Sequence, residues 1–157
     1  MATVATAAMD ALVAALAACN GAAGGYTYDL SATGRVREGH PPDDTAALTG
    51  VCVFAAFGDL KSEHGPQLGR YRRNLTLEVT GYVSVAADTP YERVRAAIHL
   101  LDDIMRAVEL DRTLAGAVLD LIIEARAFDG QAWGIPQMGC VVADIQCYWH
   151  ANARAGV

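Results

Sequence analysis

Two segments of the chain carry apolar residues at helical spacing. In residues 3–19, apolar positions recur every three or four residues, and alanine, the strongest helix former, is abundant. The second segment begins at Thr89, which can cap a helix, and continues with Pro90 at the first helical position and Glu92 three residues after the cap. An apolar stripe then predicts a helix to about Leu110; its members are Val94, Ala97, Ile98, Leu101, Ile104, Met105 and Val108.

Five other segments are typical of β-strands: residues 26–31, 48–58, 75–85, 119–127 and 141–149. The alternation is clearest in residues 75–85, where Leu77 and Val79 lie on one face and Glu78 lies on the other. Residues 48–58 form a continuous apolar run, which fits a buried strand but does not by itself exclude a helix.

The order of helix, strands, helix and strands predicts an α+β domain. We expect a mostly antiparallel or mixed sheet of about five strands with two main helices packed on one face. A chain of 157 residues has the size of one domain, so a single domain over residues 1–157 is expected. Residues 38–48 and 59–73 are expected to be mobile loops, the second of them a loop or a hairpin tip, and the C-terminal residues 150–157 are expected to be frayed.

Composition and charge exclude several kinds of partner. Hydrophobic residues make up 53% of the chain, which is a globular rather than a disordered composition. The net charge of −6 makes the chain a poor general binder of polyanions and argues against a membrane-surface role. The N-terminal segment has no basic region before its apolar run, so no signal peptide is expected, and no run approaches the ~20 apolar residues of a membrane span.

The four cysteines do not have the spacing of a metal site. No pair forms a CxxC motif, and none is followed by a histidine pair, so Cys19, Cys52, Cys140 and Cys147 are interpreted as buried apolar residues in a reducing compartment. The chain also lacks the GxSxG, HExxH, Walker and dinucleotide-binding motifs. We therefore expect no catalytic residues, no bound metal and no cofactor.

The segment HLLDDIMRAVELDRTLAG, residues 99–116, concentrates a histidine and several acids on one predicted helix. His99 and Asp103 are four residues apart and can meet on one helix face, as can Asp102 and Arg106. A metal site usually needs three or four convergent ligands, and this helix offers two. We therefore predict that the acids face solvent or a neighbouring subunit. An enzyme or small-ligand domain that uses His99 and Asp103 remains the alternative.

Two further features are candidates for contact with a partner. The sequence RYRR, residues 70–73, is the one basic cluster; it could bind DNA phosphates or an acidic protein surface, or it could be the solvated end of a hairpin. Trp133 lies in a predicted loop, either as a partner anchor or packed against its own domain. The candidate subunit or partner interface therefore consists of Arg70, Arg72, Arg73, Asp102, Asp103, Arg106 and Trp133.

Residues 72–124 resemble the tail-terminator proteins of long-tailed bacteriophages, in which a strand R…LTVEV, a helix A…LLDDI…AL and a turn D.TLGG follow one another. With its preceding and following segments the resemblance spans residues 3–149. Ala115 stands where a glycine is common in that family. The matching residues are Arg73, Leu75, Leu77, Val79, Leu101, Asp102, Asp103, Ile104, Asp111, Thr113, Leu114 and Gly116.

The resemblance implies a structural virion protein rather than an enzyme. Such a protein assembles with itself into a ring, a hexamer, that caps the tail tube, stops its polymerisation and meets the head-completion or connector protein. DNA would pass through the lumen without sequence-specific binding. The implied location is the neck-proximal end of the tail, in a phage or a gene-transfer-agent-like particle assembled in the host cytoplasm. The alternatives are a head-completion, neck or other minor tail protein and, from another class, an adaptor domain with a peptide groove.

Overall fold

The computed structural model describes residues 3–45, 48–64, 69–86 and 89–152, with the side chain of residue 152 left out. Within these ranges, one helix is followed by three strands and a second helix by two strands, and the connections include the 3-10 helices Gly21–Gly24 and Gly130–Trp133. The main elements are α1 (Val4–Ala17), β1 (Val36–Glu38), β2 (Val51–His64), β3 (Arg70–Ser84), α2 (Pro90–Glu109), β4 (Asp120–Asp129) and β5 (Met138–Asn152).

The five strands form one mixed sheet in the order β1-β2-β3-β5-β4. β1 runs parallel to β2, and every other neighbouring pair is antiparallel. The predicted α+β class, with about five strands and two main helices, is therefore confirmed. Both helices begin as the sequence indicates, because Thr3 and Thr89 each accept a hydrogen bond from a backbone N–H of the first turn.

The main core lies between the two helices and one face of the sheet. Residues at alternate positions of β2, β3 and β5 point toward the helices, as a two-residue period requires. The largest of the fully buried side chains are Met9, Leu12, Leu16, Leu30, Leu77, Leu100, Ile104, Leu114, Leu121 and Ile145.

The opposite face of the sheet, here called the open face, is packed only at one end. A second, smaller apolar cluster covers it there and consists of Leu48, Cys52, Phe54, Tyr82, Met138 and Cys140. Along the rest of β3, β4 and β5 this face carries polar and charged side chains such as Thr76, Gln146 and Glu124. Neither helix covers this part of the sheet.

The first predicted strand is wrong. Residues 26–31 alternate in polarity, but in the structure they form a connection with one isolated bridge, between Asn20 and Asp29. The first strand of the sheet is instead β1, only three residues long, which the sequence pattern did not reveal. The physical reason is that a side chain of α2 takes two backbone N–H groups of the connection, as described below.

Of the two structures predicted for residues 59–73, a loop or a hairpin tip, the structure shows a hairpin whose strands are longer than expected. β2 continues to His64 and β3 begins at Arg70, so the two strands extend as a paired hairpin. A register shift between Phe57 and Leu60 allows the pairing to continue from Leu60 with Leu75 to His64 with Tyr71. The hairpin tip, residues 65–68, lies outside the described residues. The predicted fraying from residue 150 is wrong as far as Asn152, which belongs to β5, and residues 153–157 are not described.

Candidate functional site

Asp103 is buried, which overturns the prediction that it faces solvent or a subunit. Only 2% of the residue is exposed. One carboxylate oxygen accepts a hydrogen bond of 2.9 Å from the N–H of Thr27, and the other accepts one of 2.8 Å from the N–H of Tyr28. Asp103 therefore fixes the connection after α1 onto α2, and its side chain is not part of a surface interface.

The burial of Asp103 follows from the orientation of α2. The face of the helix that meets the sheet contains Ala97, Leu100 and Ile104, and it excludes Ile98, which is half-exposed. The predicted stripe was therefore centred about one residue away from the true one. Because each residue turns a helix by about 100°, such an error moves a polar side chain from solvent into the core.

The predicted pairs on this helix do not form. His99 is exposed while both oxygens of Asp103 accept backbone N–H groups, so the two residues make no shared site. Arg106 donates to the carbonyl of Gly25 at 2.6 Å, and its guanidinium lies 5.4 Å from the ring of Tyr26, instead of pairing with the exposed Asp102. Within the described part of the chain, no three His, Cys, Asp or Glu side chains are grouped to hold a metal ion.

Arg93 and Asp129 form an ion pair that the sequence analysis missed. The Nε of Arg93 lies 2.7 Å from Oδ1 of Asp129, and Nη2 lies 3.2 Å from Oδ2. Arg93 is only 3% exposed, because it precedes Ala97 and Leu100 on the buried face of α2. The one feature of the sequence that indicates this burial is the helical spacing of Arg93 from Ala97 and Leu100. The hydrogen bond from Arg93 lowers the pKa of Asp129 below its ordinary value.

Asp129 also positions Trp133. Its carboxylate accepts the N–H of Gln131 at 3.0 Å and so caps the 3-10 helix that ends at Trp133. The indole of Trp133 is 62% exposed and tilts against Phe128, with a centroid distance of 5.3 Å. The guanidinium of Arg126 lies 5.1 Å from the centroid of the Trp133 ring. Trp133 is thus an aromatic group held rigidly at the surface, as a partner anchor would need to be.

The basic cluster is divided between the two faces of β3. Arg72 lies on the open face, where its guanidinium sits 4.6 Å from the ring centroid of Tyr148 and its Nε donates to Asn74 at 3.2 Å. Arg73 faces the helix side and is paired in register with Trp149 on β5. The Nε of Arg73 and the indole N–H of Trp149 are both buried, and neither has an acceptor among the described residues. Arg70 is exposed at the start of β3.

Three acids form a row across the open face. Asp144 on β5 is directly opposite Glu78 on β3 and also directly opposite Glu124 on β4. Asp144 and Glu124 are exposed. His40 Nδ1 lies 3.9 Å from Glu78, at the end of the row. Like charges in directly opposite positions destabilise a sheet, so this row of acids lowers the stability of the folded chain. Only the strand register reveals it.

The turn after α2 has a strained backbone. Asp111 accepts a hydrogen bond from the hydroxyl of Thr113 at 2.6 Å, which is the largest cause of its lowered pKa. It also accepts the N–H of Ala115 at 2.8 Å and that of Thr113 at 2.9 Å, and both bonds lower the pKa further. Leu114, Ala115 and Gly116 have φ values of 47°, 58° and 80°, which lie in the left-handed region. Ala115 is therefore an alanine in a backbone conformation that favours glycine.

A cleft of about 630 Å³ lies beside β1 and the start of β2. Its two arginines are already engaged. Arg35 donates to the carbonyls of Thr49 and Val51, and the guanidinium of Arg37 lies 5.8 Å from the ring of Phe54. The residues that line the cleft include no histidine and one cysteine, Cys52, whose pKa is raised by burial, so they provide no activated nucleophile.

The cysteines are buried thiols, as predicted. All four are free and buried. Burial raises the pKa of Cys147 to about 12 and, as the largest cause, raises those of Cys19 and Cys140 to about 11.

None of the helices within the described ranges has the length and apolar character that crossing a membrane requires. A search against known protein families finds no match for the chain, and a search of curated proteins finds no similar one.

Proposed function

We propose that the protein is a structural ring subunit that caps the tail tube of a long-tailed phage or a gene-transfer-agent-like particle. The observation that carries the proposal is the incompleteness of the sheet. One face is largely uncovered, and at both ends of the sheet a strand edge is left unpaired within the described residues. An unpaired edge is a template for pairing with another chain, and a closed ring of identical subunits covers the edges of every copy.

The chemistry of the described side chains supports an assembly role over catalysis. The histidine and the acid that seemed most able to form a site are separated: His99 is in solvent, and Asp103 holds the backbone of a neighbouring segment. The conspicuous polar groups either stabilise the fold, as Arg93 does, or form surfaces, as the acidic row and Trp133 do. The described residues therefore offer no support for an enzyme that uses His99 and Asp103.

The mechanism of termination would be geometric. One side of the ring binds the end of the tube, and the other side presents a different surface, so that no further tube ring can add. That second surface receives the head-completion or connector protein. The acidic charge of the chain suits a subunit around a DNA channel, because a chain of net charge −6 is a poor binder of phosphates.

Tube polymerisation measured with and without the protein tests this proposal. The tube protein used is the one encoded in the same genome. We expect added protein to stop the growth of tubes and to be found at one end of each tube in electron micrographs. A protein that stays monomeric and leaves tube growth unchanged would rule the proposal out. Binding to the connector but not to tube ends would assign the ring to the neck instead.

A further inference from the structure

The two ends of the sheet carry strand edges of similar length. At one end lies β4, which pairs with β5 on one side only. At the other end, β1 pairs with β2 only between Val53 and Ala55. No described strand pairs with the outer side of residues 57–64, here called the far half of β2.

The directions of the strands make these two edges compatible with each other. β2 is antiparallel to β3, β3 to β5, and β5 to β4, so β2 and β4 run in opposite directions. A second copy related to the first by rotation about an axis along the strands therefore brings its β2 antiparallel to β4. Antiparallel pairing is the more stable arrangement per residue.

The register sets how far adjacent copies are displaced when these edges pair. It places Leu60 of β2 level with Leu75, Cys147 and Leu121 of the next three strands, so residues 122–129 of β4 are level with residues 51–59 of β2. Pairing residues 122–129 with the far half of β2 therefore shifts the neighbouring copy by about five residues along the strands, a stagger of the kind that tilted strands have in a closed β-barrel.

Exposed apolar side chains accompany both edges. Phe57 and Leu60 are exposed on the far half of β2, and Leu119 and Ile122 are exposed at the start of β4. These four belong to the small set of large apolar side chains that the described surface exposes. Exposed apolar groups beside an unpaired edge favour association at that edge.

One point on β4 is protected, and it sets where pairing can begin. The N–H of Leu121 donates to Asp120 Oδ1 at 2.8 Å, and the carbonyl of Leu121 accepts from Arg112. Arg112 also binds the carboxylate of Asp120 at 2.8 Å. The backbone groups of Leu121 are thus occupied, and the edge available to another strand begins at Ile122.

We propose that β4 of one copy, from Ile122 onward, pairs antiparallel with the far half of β2 of the next copy, so that the sheets join into one continuous sheet around the ring. The partner is a second copy of this chain, and the inference rests on the proposed ring. The contact is head-to-tail, which closes into a ring, whereas pairing of β4 with β4 about a two-fold axis would stop at a dimer and leave β2 uncovered.

Cysteine cross-linking tests which edges meet. Lys61 and Ile122 lie on the open face, one on each edge, because they pair in register with Asn74 and Gln146 there. Lys61→Cys and Ile122→Cys variants are treated with a short bis-maleimide, separately and mixed. The native cysteines are buried and serve as an unreactive background. We expect cross-linked dimers only in the mixture, and a ladder of covalent oligomers from the double variant. His99→Cys mixed with Lys61→Cys is the control and should give none.

Two results would overturn the inference. Dimers from Ile122→Cys alone would show two-fold pairing of β4, and rings that form without any cross-link between the two edges would show a different interface. In the second case the proposed ring would stand while the pairing fails. A chain that stays monomeric under all these conditions would rule out both the ring and the strand pairing.

A lysine scan gives an independent test. Ile122 and Ile98 are both 53% exposed, the first on the β4 edge and the second on α2. Ile122→Lys should abolish assembly, because a charge would be placed in the joined sheet, while Ile98→Lys should assemble as the native chain does. Circular dichroism verifies that both variants fold. Loss of assembly in Ile98→Lys alone would contradict the pairing.

Discussion

The carboxylate of Asp103, in the middle of α2, accepts the backbone N–H of Tyr28 at 2.8 Å and that of the preceding residue at 2.9 Å. A buried carboxylate that binds two backbone donors fixes the segment that carries them. The acidic group most suggestive of chemistry in the sequence is therefore a structural connection between α2 and the chain that leads from α1 to the sheet.

Replacing Asp103 by alanine should lower the free energy of unfolding by about 3 kcal/mol, because two N–H groups lose their acceptor in a buried position. Asp103→Asn should lose about half as much, since the amide keeps one acceptor oxygen. Urea denaturation followed by circular dichroism measures both. Asp102→Ala, at the exposed neighbouring position, is the control and should change stability by less than about 0.5 kcal/mol. Equal losses at the two positions would contradict the burial of Asp103.

The ion pair of Arg93 and Asp129 predicts a pH dependence. Because the pKa of Asp129 is lowered below its ordinary value of 3.8, the stabilisation is fully present above that value. It is lost as the pH falls through the lower pKa of the folded state. Asp129→Asn should therefore be less stable than the native chain at pH 7 and lose less stability on acidification.

Denaturation curves from pH 7 to pH 2 test this expectation. The difference between the native chain and Asp129→Asn should shrink toward the acid end. The native chain will keep an acid-sensitive component in either case, because Asp29, Asp111 and Asp120 also have lowered pKa values. A stability difference that does not vary with pH would mean that the charge of Asp129 is unimportant.

The acidic row predicts a stabilising substitution. Asp144→Asn removes the middle charge, opposite both Glu78 and Glu124, and should raise the free energy of unfolding of the isolated chain by about 0.5 kcal/mol. The gain should diminish in high salt, since exposed charges are then screened. Thermal melts at low and high salt measure it. A loss of stability would indicate that Asp144 makes a favourable contact instead.

The turn after α2 predicts a second stabilising change. Ala115 has a φ of 58°, so Ala115→Gly should relieve backbone strain and stabilise the chain by about 1 kcal/mol after the greater freedom of glycine in the unfolded state is counted. Ala14→Gly, in the exposed part of α1, should have the opposite sign and destabilise by about 1 kcal/mol. If Ala115→Gly also destabilises, as measured by urea denaturation, the left-handed conformation of the turn is incorrect.

Local signals in the sequence were enough for the helix starts and for the alternating strand around Leu77. They failed where the deciding contact is distant. The buried carboxylate of Asp103 binds an N–H group 76 residues earlier in the chain, and the buried guanidinium of Arg93 binds a carboxylate 36 residues later. The spacing of apolar residues along α2 defines a broad stripe, and the one local feature that places a charged side chain within it is the position of Arg93 before Ala97 and Leu100.

The same limit applies to the strands. Residues 26–31 alternate as a strand does, but their connection follows α2 because Asp103 takes two of its N–H groups. The far half of β2 carries charges and a glycine, which locally indicate a loop, yet pairing with β3 holds it extended. The candidate surfaces depend on this register: the acidic row and the matched edges could not be predicted without it, whereas Trp133 and the basic cluster were visible in the sequence.

We propose above all that the chain assembles head-to-tail into a closed ring. Native mass spectrometry of the purified protein over a range of concentrations tests it most directly, with Ile122→Lys measured beside it. We expect one closed species of the native chain, a hexamer, with no continuous series of larger oligomers, and a monomer for the variant. A native chain that remains monomeric or dimeric at every concentration, alone and with the tube protein, would contradict the account.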